Sequence, residues 1–169
     1  GVLQLEAPEG VTDATEAQMP ETLVRFSWDL ELVDIDNDYH LDLMISSKMS
    51  EGSFLVRNDG KGKFTDITTG NLPQFTNNYE FEPIDLDGDG FLDVVTINDG
   101  GIVPGTRNSR KENVFANTGK GGFRLATSEW LPDSENLGYD DNRMVYLDYD
   151  SDGDPDVLVG SLDGPDGPW

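Results

Sequence analysis

The chain has 169 residues, 36% of them hydrophobic, and a formal charge of −23. It is long enough for a sizeable core, but its charge repels phosphate backbones and anionic lipid surfaces, which argues against nucleic acid and anionic membranes as partners, and no membrane insertion is expected. It has no cysteine, so disulfides, thiolate metal sites and a cysteine nucleophile are excluded, and no apolar run reaches the roughly 18 residues of a membrane span.

In chain order, short β-branched and aromatic runs alternate with Gly, Pro, Asn and Asp clusters, and helical periodicity is missing. The first apolar stretches, residues 2–5 and 11–15, read as strand. Residues 23–33 read as a longer strand, followed by the acidic run Asp34-Ile-Asp36-Asn-Asp38-Tyr-His-Leu-Asp42 and a strand over 41–46. Strands are then predicted over 54–57 and 64–67, joined by the turn Asn58-Asp-Gly60-Lys-Gly62-Lys-Phe64. Asn and Gly supply the positive φ that tight hairpins need. The cycle restarts with a strand over 79–84, the run Asp85-Leu-Asp87-Gly-Asp89-Gly-Phe-Leu-Asp93, and a strand over 93–97. Strands over 113–116 and 123–126 flank the turn Asn117-Thr-Gly119-Lys-Gly121-Gly-Phe123. A third cycle opens with a strand over 144–147, the run Asp148-Tyr-Asp150-Ser-Asp152-Gly-Asp154-Pro-Asp156, and a strand over 156–159.

Four carboxylates within nine residues repel one another, each close pair costing about 1 kcal/mol even in bulk water. A hard cation offsets that cost, and oxygen ligands at positions 1, 3, 5 and 9 of each run suit Ca²⁺. An EF-hand is excluded: its twelfth position requires a bidentate Glu between helices, whereas here that position is Ile45, Thr96 or Val159 inside a predicted strand. Each run therefore joins two strands as a hairpin loop, and about three Ca²⁺ ions are expected.

A second pattern keeps step with the loops. Val11-Thr-Asp-Ala-Thr-Glu-Ala-Gln-Met19-Pro20, Phe64-Thr-Asp-Ile-Thr-Thr-Gly-Asn-Leu72-Pro73 and Phe123-Arg-Leu-Ala-Thr-Ser-Glu-Trp-Leu131-Pro132 align, 53 and 59 residues apart. Periods of that length, with several short strands each, point to a propeller or another repeat array, and the four strands read in each repeat predict an all-β fold.

The loops, the Asn-x-Gly-x-Gly-x-Phe turns and the Phe-Thr-Asp tail resemble FG-GAP/VCBS repeats, as in integrin α-subunit heads and cartilage-acidic-protein-like proteins. The resemblance covers roughly residues 11–160. It implies a β-propeller-type fold in which each repeat is a four-stranded antiparallel blade, with Ca²⁺ in the loop between the first two strands of each blade. The implied side-chain ligands are Asp34, Asp36, Asp38 and Asp42; Asp85, Asp87, Asp89 and Asp93; and Asp148, Asp150, Asp152 and Asp156. Backbone carbonyls of His40, Phe91 and Asp154 complete the implied sets. Position 6 calls for Gly, which Gly90 and Gly153 supply and Tyr39 does not, so the first site is expected to be weakest or altered in backbone geometry.

The expected organisation is one propeller domain of about three repeats. Residues 1–20 form an outer half-blade, 21–73 the first repeat, 74–132 the second, and 133–169 the inner half of the third. Both ends fall at nearly one phase of the repeat, so the chain reads either as a slice of a longer propeller or as a subunit that shares strands with other copies. It begins at Gly1 with no evident signal peptide, which reads as a processed protein or a piece of a longer one.

Catalytic patterns are missing. The single histidine, His40, sits inside a metal loop, no Gly-x-Ser-x-Gly elbow or P-loop occurs, and the paired carboxylates are accounted for as ligands. Trp28 and Trp130 are expected to be packing residues rather than sugar platforms. Arg107, Arg110 and Lys111 form a basic group in the long insert before Asn117, which reads as a solvated loop with recognition as the sharper alternative. The functional expectation is a secreted or cell-surface, non-enzymatic module for binding, adhesion or assembly, with a protein or glycan ligand and structural Ca²⁺. Alternatives are a subunit of an extracellular polymer and a non-catalytic propeller of a secreted polysaccharide-active enzyme.

Overall fold

The structure is a computed structural model and describes residues 10–21, 27–47, 52–74, 78–98, 111–132 and 141–161, without the side chains of 141, 142 and 161. Two four-stranded antiparallel sheets and a two-stranded third carry the described chain. The first has the order β1 (Ser27–Val33), β2 (Asp42–Ser47), β3 (Phe54–Asn58), β4 (Phe64–Asp66). The second has β5 (Asn78–Ile84), β6 (Asp93–Asn98), β7 (Val114–Asn117), β8 (Phe123–Leu125). The third pairs β9 (Asp141–Leu147) with β10 (Asp156–Ser161). The fold is all-β, built from four-stranded meanders of the kind that make propeller blades, as the strand reading and the resemblance predicted.

Registers repeat between sheets. Leu32 pairs with Leu43 and Leu43 with Val56 in the first; Pro83 pairs with Val94 and Val94 with Phe115 in the second; Tyr146 pairs with Val157 in the third. Because side chains alternate across a strand, these pairs fix which residues share a face. Val33, Met44 and Leu55 of the first sheet meet Phe81, Val94 and Phe115 of the second in one buried cluster. The opposite face of the second sheet gives Val95, Ile97 and Val114 to a cluster with Met144, Tyr146 and Val159 of the third. β6 is thus buried along its whole length, which is why it reads Val-Val-Thr-Ile rather than alternating. Fully burying Phe81 and Phe115 contributes about 1.5–3 kcal/mol each.

Among the described residues, each outer face of this stack carries exposed apolar side chains. Leu30 and Leu32, on the face of β1 turned away from the second sheet, are 60% and 59% exposed, whereas Ile45 of β2 and Val56 of β3 on that same face are buried. Val145, Leu147 and Leu158, on the far face of the third sheet, are exposed as well.

Three expectations change. Residues 11–14 are irregular rather than strand, and Thr15–Gln18 forms a one-turn helix, α1. The companion stretch 2–5 lies outside the described residues. The equivalent Thr127–Trp130 is likewise a helical turn, α2, and Thr68 accepts the amides of Asn71 and Leu72 in the same place. The aligned tail therefore turns helically after its strand, where one turn is too short to leave a period. Trp28 is 53% exposed, its ring 4.9 Å from that of Tyr79, so it is only half packed. Trp130 packs against the cluster between the second and third sheets.

Candidate metal centres

Each acidic run lies between the first two strands of its sheet and folds the same way. The position-1 carboxylate accepts the amide of position 5: Asp38 N to Asp34 Oδ1, Asp89 N to Asp85 Oδ1 and Asp152 N to Asp148 Oδ1, each 3.1 Å. Its other oxygen takes the position-6 amide, from Tyr39 at 2.9 Å and Gly90 at 3.0 Å. The position-9 carboxylate reaches back to position 2, accepting Ile35 N, Leu86 N and Tyr149 N at 3.2, 2.9 and 2.7 Å. Position 5 accepts the amide of position 7 from His40, Phe91 and Asp154. These bonds wind the loop around its own carboxylates.

Positions 4 and 6 both adopt left-handed backbone. At position 6, Tyr39 has φ 68° where Gly90 has 89° and Gly153 has 97°; at position 4, Asn37, Gly88 and Ser151 have 58°, 72° and 63°. The first loop keeps the shared geometry despite Tyr39, so the substitution appears as strain rather than a different path. The sequence signal for position 4 was present in Asn37 and Gly88, two residue types that accept positive φ.

The structure brings positions 1, 3 and 9 together. Ligand atoms of Asp34, Asp36 and Asp42 lie within 4.8 Å of one another, as do those of Asp85, Asp87 and Asp93, and of Asp148, Asp150 and Asp156. Asp38, Asp89 and Asp152 stand outside these trios. Asp38 Oδ1 is instead 3.0 Å from His40 Nδ1, and Asp38 Oδ2 is 3.7 Å from Arg57.

Asp42 and Asp93 are buried at the starts of β2 and β6. Burial pushes both carboxyls above their ordinary range, and the neighbouring carboxylates at positions 3 and 5 push the same way; backbone amides oppose the rise. Asp36 Oδ1 is buried with no hydrogen-bond partner. Converging hard oxygens, like charges that burial disfavours and an orphaned carboxylate oxygen together fit a divalent cation. Asp34, Asp36 and Asp42, and their equivalents, are the residues that would hold it, and the ion would supply the missing positive charge.

Asn58 and Asn117, which read in the sequence only as turn formers, also brace the candidate loops. Asn58 N donates to Asp42 Oδ1 at 2.7 Å and Asn117 N to Asp93 Oδ1 at 2.8 Å. Their side-chain amides hold the position-8 carbonyls of Leu41 and Leu92, while their Oδ1 atoms cap the turn at Gly60 N and Gly119 N. One asparagine thus closes the hairpin and fixes the position-9 carboxylate, the second-sphere support that a metal at these residues would need.

With that geometry in view, residues 34–96 match the family model of the FG-GAP-like repeat. No curated protein matches the chain. The matched FG-GAP span runs from the first loop to the middle of β6. The third loop, beyond it, shows the position 1 to 5, 9 to 2 and 5 to 7 hydrogen bonds of the first two. Among the described residues, no helix is long and apolar enough to cross a membrane.

Proposed function

We propose that the chain is a calcium-binding propeller-type module that serves binding, adhesion or assembly outside the cell, with Ca²⁺ as a structural ion in each loop. The observation that carries this is the threefold convergence of carboxylates at positions 1, 3 and 9, one of them with a buried, partnerless oxygen. Such ions bind only the folded loop. At 100 times Kd each would stabilise the fold by about 2.7 kcal/mol. Extracellular modules bind Ca²⁺ with Kd of about 10⁻⁴ to 10⁻³ M, which ties the reading to a calcium-rich compartment. The ligand class is protein or glycan, and no catalytic role is assigned.

The experiment is the melting temperature of the purified chain in millimolar Ca²⁺ and in excess EGTA, with elemental analysis of the same sample. A rise of several degrees with Ca²⁺ supports the reading. An unchanged midpoint in metal-free protein overturns it.

A second reading, assembly of copies into a polymer, is favoured by the exposed apolar side chains at the two ends of the stack. Leu30 and Leu32 occupy the place that Phe81 and Pro83 fill at the joint between the first two sheets, while Val145 and Leu147 lie at the opposite end. Face-to-face addition of copies would repeat that joint. Sedimentation in Ca²⁺ tests it: a concentration-independent monomer rules it out.

A further inference from the structure

We infer that the first and second metal loops bind their ions cooperatively, through a buried relay centred on Asn117 and a surface bridge from Asn37. The inference rests on the calcium reading above. The relay joins the two position-9 carboxylates. Asp42 Oδ2 accepts Ile35 N at 3.2 Å, Ile35 O accepts Asn117 Nδ2 at 3.0 Å, and Asn117 N donates to Asp93 Oδ1 at 2.8 Å. Asp42, Ile35 and Asp93 are each at most 1% exposed and Asn117 9%, so water does not substitute readily for any member. The same Asn117 amide also holds Leu92 O, at position 8 of the second loop, at 3.0 Å.

The bridge is separate. Asn37 Nδ2, at position 4 of the first loop, donates to Gly90 O, at position 6 of the second, at 2.9 Å. Gly90 N donates to Asp85 Oδ2 and the next amide, Phe91 N, to Asp89 Oδ1, so Asn37 grips a peptide that is tied to the second loop's carboxylates on both sides. An ion that orders one loop therefore orders groups the other loop needs, and the second ion meets a lower ordering cost. The second loop has no equivalent reach towards the third, because its position 4 is Gly88. The third loop is the internal control.

Calcium titration calorimetry on the full chain tests this. Asp150→Asn with Asp152→Asn silences the third loop and leaves the pair. Adding Asp87→Asn with Asp89→Asn leaves the first loop alone, and adding Asp36→Asn with Asp38→Asn instead leaves the second alone. The pair is expected to bind with an overall constant about 5-fold or more above the product of the two single-site constants. Asn37→Gly, which suits the φ of 58°, should reduce that excess without disturbing the fold, and Asn117→Ala should reduce it further. A chain with only the first and third loops intact should obey the simple product. Agreement with the product in the pair overturns the coupling even when every site binds. An excess that survives both asparagine variants overturns its assignment to them. Absence of calcium binding in the unaltered chain removes the calcium reading and the coupling with it.

Discussion

Arg57 on β3 pairs through Nη2 with Asp36 Oδ2 while the other oxygen of that carboxylate, Oδ1, stays buried and partnerless. The arginine fixes the position-3 side chain and leaves one oxygen for an ion. In the second sheet the equivalent residue is Ala116, and Asp87 is exposed. Partners of ligating carboxylates typically contribute 10- to 100-fold to metal affinity. Arg57→Ala is expected to weaken calcium at the first loop by about 10-fold, read by calorimetry with the other loops silenced. Arg57→Lys keeps the charge but loses the planar fork, so it should restore only part of the affinity. Tighter binding in Arg57→Ala would show that the guanidinium acts as a competing cation instead.

Tyr39 carries a strain that glycine would relieve. Its φ of 68° is left-handed, and its side chain is 94% exposed, so nothing packs against it. Tyr39→Gly relieves about 1–2 kcal/mol of left-handed strain and costs about 0.5–1 kcal/mol in glycine's greater freedom in the unfolded state, so it should stabilise the chain by up to about 1 kcal/mol. For a chain of this size that corresponds to a rise of up to about 2–4 °C in melting temperature, measured by calorimetry in EGTA. A fall would mean that the tyrosine makes a contact that outweighs its backbone strain.

What the sequence made legible was local. Each strand, turn and acidic run of the cycle is written within a dozen residues, as alternation, turn chemistry and carboxylate spacing. The helical turns at Thr15 and Thr127 span four residues each, too few for a 3.6-residue period to register. The double role of Asn117 was hidden for a different reason: its bond to Ile35 O joins residues 82 apart, and only the stacking of two sheets brings them together. The exposure of Trp28 is of the same kind, since its face has cover only where another sheet packs against it.

The joint between the first two sheets should dominate stability. Phe81 is fully buried between them, against Val33 and Met44 on one side and Val94 and Phe115 on its own sheet. Phe81→Ala removes that packing and leaves a cavity, at an expected cost of about 3–5 kcal/mol. Leu125, which is exposed at the end of β8, serves as the control, and Leu125→Ala should stay within about 0.5 kcal/mol. Urea unfolding of both variants in saturating Ca²⁺ measures the difference. Equal effects would mean that the sheets do not share this core in solution.

The inner strands hold a group that titrates near neutrality. Asp29 and Glu31 of β1 and Glu80 and Glu82 of β5 crowd together, with Arg143 of β9 paired to Glu80 and Tyr146 Oη bonded to Glu82 O at 2.9 Å. Burial first, then Glu80, Glu31 and Asp29, push the Glu82 carboxyl up from 4.5 to about 7, and Arg143 opposes them. A carboxyl raised on folding binds its proton more tightly in the folded state. Its contribution to stability is greatest below the unfolded value and is lost as pH rises from about 4.5 to about 7. Wild type should therefore lose stability relative to Glu82→Gln across that window, with the two curves parallel above about pH 8. Melting temperatures of both proteins from pH 4.5 to 8.5, in saturating Ca²⁺ so that the metal loops stay ionised, give the difference directly. A difference that is flat with pH would place the Glu82 carboxyl in open solvent, away from the other three.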